Sequence, residues 1–126
     1  MSTLPLVAII DDDESVRITT DSLVRSLGCV VHTFASAEQF LQSCRLDDFA
    51  CILADVQMPG MTGLDLNRSI IDTGHPIPTI LVTAYPNDID RARAMNAGIV
   101  CYLGKPLDEN LLRECLREVV ACEKQS

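Results

Sequence analysis

Five short apolar runs, separated by segments with helical spacing, constrain the fold of this chain more than any other feature of its sequence. The runs cover residues 6–10, 29–34, 50–54, 78–82 and 99–103. Several are rich in Val and Ile, as β-strands are. They are apolar throughout rather than alternating, which is typical of parallel strands covered on both faces. The pattern predicts an α/β fold of the (βα)5 type: a doubly wound, five-stranded parallel sheet with helices on both sides.

The segments between the runs carry helix signals. Apolar residues recur at helical spacing after residue 110, and weaker apolar stripes follow Glu14, Thr62 and Asn87. Three glycines follow predicted helices and precede predicted strands: Gly28, Gly74 and Gly98. A glycine at this position ends a helix with positive φ, so these residues predict where three helices stop.

Length and composition predict one domain. The chain has 126 residues, 48% of them hydrophobic, which suffices for one core and leaves no room for two. No linker or charge block interrupts it, so we expect a single domain over 1–126 with its core at about 6–122. We find no membrane-length apolar run and no basic signal-peptide start, and we therefore expect a cytoplasmic protein without membrane contact.

The net charge of −8 disfavours direct binding to nucleic acid, because an acidic surface repels the phosphate backbone.

Six cysteines are spread along the chain: Cys29, Cys44, Cys51, Cys101, Cys115 and Cys122. They form no CxxC motif and most lie in apolar runs, so we expect buried, reduced thiols. Neither His32 nor His75 has zinc-ligand spacing to a cysteine, which disfavours a zinc site.

Polar side chains follow four of the five predicted strands. They are Asp11 and Asp12 after the first strand, Asp55 after the third, Thr83 after the fourth, and Lys105 and Pro106 after the fifth. The carboxyl ends of parallel strands lie at one edge of the sheet, where open α/β folds place their ligands. We therefore expect these groups to converge.

Such a convergence has a definite chemistry. Neighbouring carboxylates repel, and a divalent cation relieves the repulsion. Oxygen ligands on a partly open site suit Mg²⁺, while a lysine and a threonine can hold phosphoryl oxygens. Each group alone has an ordinary explanation as a helix cap or a turn. Their coincidence at four strand ends favours a phosphoryl-transfer site.

Four stretches closely resemble the receiver domain of two-component response regulators. They are IIDDDESVR at 9–17, LADVQMPGMTG at 53–63, LVTA at 81–84 and CYLGKP at 101–106. The resemblance extends over about residues 7–120, and FASAE at 34–38 with MPGM at 58–61 is most similar to receivers of the FixJ type. It implies a flavodoxin-like fold with strand order 2-1-3-4-5.

The resemblance also implies a role for each matching residue. Asp55 would take a phosphoryl group from a histidine kinase or a small phosphodonor. Mg²⁺, with Mn²⁺ as a substitute, would be held by the carboxylates of Asp12 and Asp55, the backbone carbonyl of Gln57 and, largely through water, Asp11. Thr83 and Lys105 would contact phosphoryl oxygens, Tyr102 would be the switch aromatic, and the Lys105–Pro106 bond would be cis. Such a domain catalyses its own phosphorylation and slow autodephosphorylation, and is not a conventional enzyme.

Phosphorylation would act by shifting the population of two conformations. The expected readout is the surface of the fourth helix, fifth strand and fifth helix, which would control homodimerisation or the docking of a downstream protein or output domain. No output domain follows Val120, so we expect either a free-standing receiver or a part of a longer regulator.

Two details are particular to this chain. Tyr85 and Gln57 each lie two residues beyond a predicted site residue, where the resemblance places the path of hydrolytic water. The bulk of Tyr85 suggests that it shields the phosphoryl group. Gly104 stands where a larger residue is usual in the family.

Two other functional interpretations of the sequence stay open at this point. A haloacid-dehalogenase-like phosphatase would use Asp11 and Asp13 as nucleophile and acid, but would leave Asp55 unexplained. The second is a receiver-like scaffold that is not phosphorylated. Against it, neighbouring carboxylates that bind no ligand would repel one another and carry a cost in free energy. A flavodoxin is disfavoured because no phosphate loop rich in glycine and hydroxyl groups follows the first strand.

Overall fold

The computed structural model describes residues 4–43, 46–74 and 76–125, without the side chains of Asp47 and of residues 120–125. Over these ranges five strands alternate with five α-helices. The strands are β1 (Leu6–Ile10), β2 (Val30–Phe34), β3 (Cys51–Asp55), β4 (Thr79–Thr83) and β5 (Cys101–Gly104). The α-helices are α1 (Glu14–Ser26), α2 (Ala37–Leu41), α3 (Gly63–Asp72), α4 (Asp88–Asn96) and α5 (Glu109–Gln125), and a 3-10 turn covers Leu46–Asp48.

The strands form one parallel sheet in the order β2-β1-β3-β4-β5. The predicted architecture and strand order are therefore confirmed. β1 has the predicted bounds, and the other strands begin one or two residues later than the apolar runs that predicted them.

Two apolar layers cover the sheet, because successive strand side chains point to opposite faces. On one face, strand residues such as Ile10, Ile52 and Leu81 pack with Phe40 of α2 and Leu66 of α3. On the other face the packing residues are Ile9, Leu53 and Val82 from strands, Val24 from α1, and Leu112 and Leu116 from α5. The site at the strand ends is thus built on a sheet that is fixed from both sides.

Side-chain caps set where the helices begin. Asp13 caps α1 by accepting from the Val16 N–H at 3.2 Å, and Asn87 caps α4 by accepting from the Asp90 N–H at 2.8 Å. Thr62 begins α3 in a reciprocal capping box with Asp65. The three predicted helix-ending glycines, Gly28, Gly74 and Gly98, have φ of 93°, 82° and 88°.

The expectation of reduced thiols is wrong for two cysteines. A disulfide joins Cys101 of β5 to Cys115 of α5, with their Cα atoms 6.4 Å apart. The two residues are 14 positions apart, so only the packing of α5 against β5 reveals the pair. Cys29 and Cys51 remain thiols, and burial raises the pKa of the Cys29 thiol. Cys44, His75 and the Cys122 side chain lie outside the described parts of the chain.

Where helices are described, none is long and apolar enough to cross a bilayer.

Candidate functional site

Strand register brings the predicted polar residues to one edge of the sheet. Ile10 pairs with Ala54, so the residues that follow them, Asp11 and Asp55, lie side by side at the ends of β1 and β3. Asp55 itself pairs with Val82, which places Thr83 one residue further along β4. Thr83 in turn pairs with Gly104, the residue before Lys105. The predicted convergence of the four strand ends is confirmed.

The Lys105 ammonium joins the two carboxylates. Lys105 Nζ lies 3.0 Å from Asp11 Oδ2 and 2.8 Å from Asp55 Oδ2. Burial alone would lower the pKa of Lys105, but its hydrogen bonds to Asp55 and Asp11 and their negative charges outweigh burial and raise the pKa above 10.5. Lys105 is therefore a cation at neutral pH, and it offsets part of the repulsion between the two aspartates.

Backbone amides hold the second oxygen of each carboxylate. Asp11, which is 5% exposed, accepts from the Asp13 N–H at 2.9 Å. Asp55 accepts from the Gln57 N–H at 3.0 Å, and the Gln57 side chain is exposed. Both carboxylates are thus oriented by the chain itself.

Asp12 completes an acidic cluster that could hold a metal ion. One carboxylate oxygen from each of Asp11, Asp12 and Asp55 lies within 4.8 Å of the other two. Opposite oxygens around Mg²⁺ are about 4.2 Å apart, given its preferred Mg–O distance. The donor set contains only oxygen, and Asp12 is exposed, so water can complete the shell. The residues present therefore fit Mg²⁺.

Thr83 ends β4 with a hydroxyl that is available as a donor. The residue is 2% exposed, and its Oγ1 accepts a hydrogen bond from the Tyr85 N–H at 3.1 Å. Because the oxygen acts as acceptor in that contact, the hydroxyl proton is not used in it and can be donated to another acceptor. The Tyr85 side chain is 73% exposed.

Tyr102 belongs to a neighbouring cluster and not to the acidic one. It is 4% exposed, and its hydroxyl accepts from the N–H of Asn87, the cap of α4, at 3.3 Å. The Arg91 guanidinium lies 4.9 Å from the centre of the Tyr102 ring and donates to the Tyr102 carbonyl at 3.3 Å. The aromatic ring therefore connects β5 to the start of α4.

Two glycines permit close approaches near the site. A Cβ on Gly63 would lie 2.6 Å from the Asp55 carbonyl oxygen and 2.7 Å from Leu81 Cδ2. At Gly104 a Cβ would lie 3.2 Å from Pro86 Cγ, so Pro86 occupies the space beside the unusual glycine. The Lys105–Pro106 bond is cis, as the resemblance implies.

Sequence reasoning missed Gly63, Pro86, Asn87 and Arg91 as supporting residues. A glycine in the first turn of a helix lowers helix propensity, and this signal could have drawn attention to Gly63. The sequence marks Asn87 only as the start of a helix and carries no comparable signal for Pro86 and Arg91. The contacts of all three depend on the packing of α4.

Comparison with known families matches residues 7–117 to the response regulator receiver domain. The chain belongs to this family. Receiver domains belong to two-component signalling systems, in which response regulators act with histidine kinases, and they typically bind Mg²⁺.

The relatives are response regulators. The chain is 34% identical over 120 residues to the response regulator protein TodT of Pseudomonas putida, covering 95% of this chain and 53% of TodT. It is 36% identical over 124 residues to nodulation protein W of Bradyrhizobium diazoefficiens, covering 98% of this chain and 53% of that protein. The transcriptional regulatory protein FixJ of the same organism is 29% identical over 95% of this chain and 58% of its own length. The chain thus spans about half the length of these relatives, and the resemblance to FixJ-type receivers is confirmed.

Solved structures agree with this assignment. The response regulator StyR superposes with a TM-score of 0.86 at 33% identity, over 98% of this chain and 62% of StyR. A receiver domain from an HD domain-containing protein of Pseudomonas fluorescens gives a TM-score of 0.88 at 25% identity, over 98% of this chain and all (100%) of that one. The phosphatase alternative is not supported, because the family that matches residues 7–117 is the response regulator receiver domain.

Proposed function

We propose that this receiver domain is a phosphorylation switch in which Asp55 accepts a phosphoryl group from a histidine kinase or a small phosphodonor. The observation that carries the proposal is the Lys105 ammonium held between Asp11 and Asp55, at 3.0 Å and 2.8 Å. In the reaction, a bond forms between an Asp55 oxygen and phosphorus as the bond from phosphorus to the donor's nitrogen or oxygen breaks. The same site slowly hydrolyses its own phosphoryl group.

Asp12, Asp55 and the Gln57 backbone carbonyl are the proposed ligands of Mg²⁺, with Mn²⁺ as a substitute. Asp11 acts through a water molecule. In support, Asp11 is buried, whereas Asp12 is exposed and Asp55 is partly exposed. When bound, the cation supplies positive charge that offsets the acidic cluster and the charge on the transferring group.

Lys105 and Thr83 then hold the new phosphoryl oxygens. Lys105 moves from the Asp55 oxygen to an oxygen of the phosphoryl group and keeps its contact with Asp11. Thr83 donates its hydroxyl proton to a second phosphoryl oxygen. Both residues thereby stabilise the phosphorylated protein in one conformation more than they stabilise the unphosphorylated protein in it. This difference is the condition for a population shift.

The signal passes from Thr83 to α4 through one short segment. The Tyr85 N–H binds the Thr83 hydroxyl, and the Asn87 N–H binds the Tyr102 hydroxyl two residues later. A new bond at Thr83 therefore acts on the segment that also holds Tyr102. Its effect is expected on the α4-β5-α5 surface, where Ile89, Met95 and Leu111 are exposed at 68%, 51% and 52%.

That surface is the proposed site of homodimerisation or of docking by a downstream protein or output domain. Its exposed apolar side chains suit a protein partner. In a longer regulator, the partner would be an output domain of the same chain. With a net charge of −8, the receiver itself is not expected to bind nucleic acid directly.

The experiment is to incubate the chain with acetyl phosphate and Mg²⁺ and to follow its intact mass. One phosphoryl group should be added, and a metal chelator should prevent the addition. Asp55→Asn should abolish the reaction. Asp72→Asn, at an exposed position at the end of α3, is the matched control and should react as the parent does. Equal labelling of the two variants would refute the proposal.

A further inference from the structure

A cavity of about 460 Å³ lies between α1, the sheet and the loop that joins β5 to α5. Its apolar wall includes Ile9, Leu53 and Val82 from the sheet, Val16 and Leu23 from α1, and Leu107 from the loop. This volume falls within the range of small-molecule sites, about 300–1,000 Å³. The cavity is thus large enough for a compact organic molecule, and it lies on the face of the sheet that α1 and α5 cover.

Among the described residues that line the cavity, one buried hydroxyl lacks a protein partner. Thr20 of α1 is 8% exposed and lines the cavity, and its hydroxyl makes no hydrogen bond to any other described residue. Other buried threonines are paired: Thr79 donates to the Ile77 carbonyl at 3.0 Å, and Thr83 accepts from Tyr85. The Thr20 hydroxyl oxygen keeps some accessible surface and is not fully enclosed by the core. A buried hydroxyl that reaches a cavity without a protein partner is a position for hydrogen bonding to an occupant.

The charges in the wall disfavour an ionic occupant. Asp11, Asp55 and Lys105 also line the cavity, but they are paired with one another. A charged ligand would have to break those pairs or lie against apolar side chains.

We propose that this cavity binds a small neutral molecule with an apolar ring-like body and one hydroxyl or N–H group, which hydrogen-bonds to Thr20. The occupant would lie beside Asp55 and Lys105 without replacing either. The proposal concerns binding alone and does not depend on phosphorylation of Asp55, so the two can fail separately.

The probe is β-naphthol, whose emission differs between water and an apolar site. The chain contains no tryptophan, so its own emission interferes little. Binding should be saturable, and naphthalene, which has the same rings without the hydroxyl, should bind more weakly. Thr20→Val keeps the shape of the side chain and removes the hydroxyl. It should weaken β-naphthol by about tenfold, the equivalent of one hydrogen bond, and leave naphthalene unchanged.

Two cavity-filling variants test the location. Thr20→Leu and Leu107→Phe should each abolish binding of both probes. Ser22→Leu adds a leucine at an exposed position of the same helix and should bind as the parent does. Circular dichroism and thermal unfolding establish that each variant is folded, and Thr20→Val keeps the test available if a filled variant does not fold.

Three outcomes would overturn the proposal. The first is no saturable binding to the folded parent, which would indicate that the cavity holds only water. The second is binding that persists in both filled variants, which would place the probe elsewhere. The third is an equal response of the two probes to Thr20→Val, which would remove the hydrogen bond from the proposal.

Discussion

Lys105 has two tasks that conflict. It holds Asp11 and Asp55 together before phosphorylation, at 3.0 Å and 2.8 Å, and it is the proposed partner of the phosphoryl group afterwards. A cation at this position also competes with a metal ion for the same carboxylates. Its raised pKa means that its stabilising contribution is fully present below pH 10.5 and is lost only as the pH rises through the higher folded-state value.

Lys105→Gln should therefore tighten Mg²⁺ binding while impairing the phosphorylated state. Removing one positive charge close to the acidic cluster should favour the divalent cation by about tenfold in affinity, or roughly 1.4 kcal/mol. Calorimetric titration with Mg²⁺ measures the change. Arg93→Gln, an exposed arginine of α4, is the charge-matched control and should leave the affinity unchanged. Weaker Mg²⁺ binding by Lys105→Gln would contradict the proposed competition.

Gly63 supports the acceptor through its backbone. An added Cβ would lie 2.6 Å from the Asp55 carbonyl oxygen, so Gly63→Ala should displace the end of β3. We expect a loss of about 1–3 kcal/mol in the free energy of unfolding, as for other overpacked sites, together with slower phosphorylation. Chemical denaturation and the rate of labelling with acetyl phosphate measure the two effects.

Gly74→Ala is the control for Gly63→Ala. It introduces a side chain at positive φ with no atom within 4 Å, so it should cost stability without slowing phosphorylation. Equal labelling rates in both variants would show that Gly63 does not position Asp55.

Tyr85 is expected to lengthen the phosphorylated state. Its N–H is bonded to the Thr83 hydroxyl, so the residue lies beside the site, and its side chain is 73% exposed and not fixed in the core. Tyr85→Ala should accelerate dephosphorylation because water then reaches the phosphoryl group more easily. Tyr85→Phe keeps the bulk and should retain the parent rate. Following loss of the phosphoryl group over time tests this, and an unchanged rate in Tyr85→Ala would reject the shielding role.

Among the elements, α4 is the one best suited to move. Ala94 is the only buried residue of this helix, which is described over its full length. Its attachment to the site runs through Asn87, Arg91 and Tyr102. Elements with few buried apolar contacts open at low free-energy cost.

Tyr102→Phe should loosen the start of α4 because the Asn87 N–H loses its acceptor. We expect amide exchange over the first turn of α4 to accelerate about fivefold, the equivalent of roughly 1 kcal/mol. Hydrogen–deuterium exchange measures this, and the amides of α3 in the same protein are the internal control. Unchanged exchange in α4 would show that the Tyr102 hydroxyl does not hold this helix.

The limits of sequence reasoning also appear among the elements. Apolar runs and helix-ending glycines predicted the strands and several helix ends, since both depend on local periodicity and backbone geometry. The convergence of Asp11, Asp55 and Lys105 followed from the rule that parallel strands end at one edge. The contact of Arg91 with Tyr102 and the pairing of Cys101 with Cys115 depend on how helices pack against β5. Neither the contact nor the disulfide corresponds to a local pattern in the sequence.

The molecule as a whole combines an acidic surface with apolar side chains exposed on α4 and α5. The net charge of −8 becomes more negative on phosphorylation by only about 0.5 to 1 charge near neutral pH, because the phosphoryl group of about 1.5 to 2 negative charges replaces the single charge of the Asp55 carboxylate. Added negative charge alone would not select a partner. The proposed switch therefore depends on Thr83 and Lys105, whose bonds to the phosphoryl group would change the α4-β5-α5 surface.

The central claim is that Asp55 itself carries the phosphoryl group. The most direct measurement is to label the chain with acetyl phosphate and Mg²⁺, reduce the aspartyl phosphate with borohydride, and identify the converted residue by peptide mass spectrometry. The account predicts homoserine at residue 55 and at no other aspartate. Conversion at Asp11, or phosphate found on a residue other than Asp55, would contradict it.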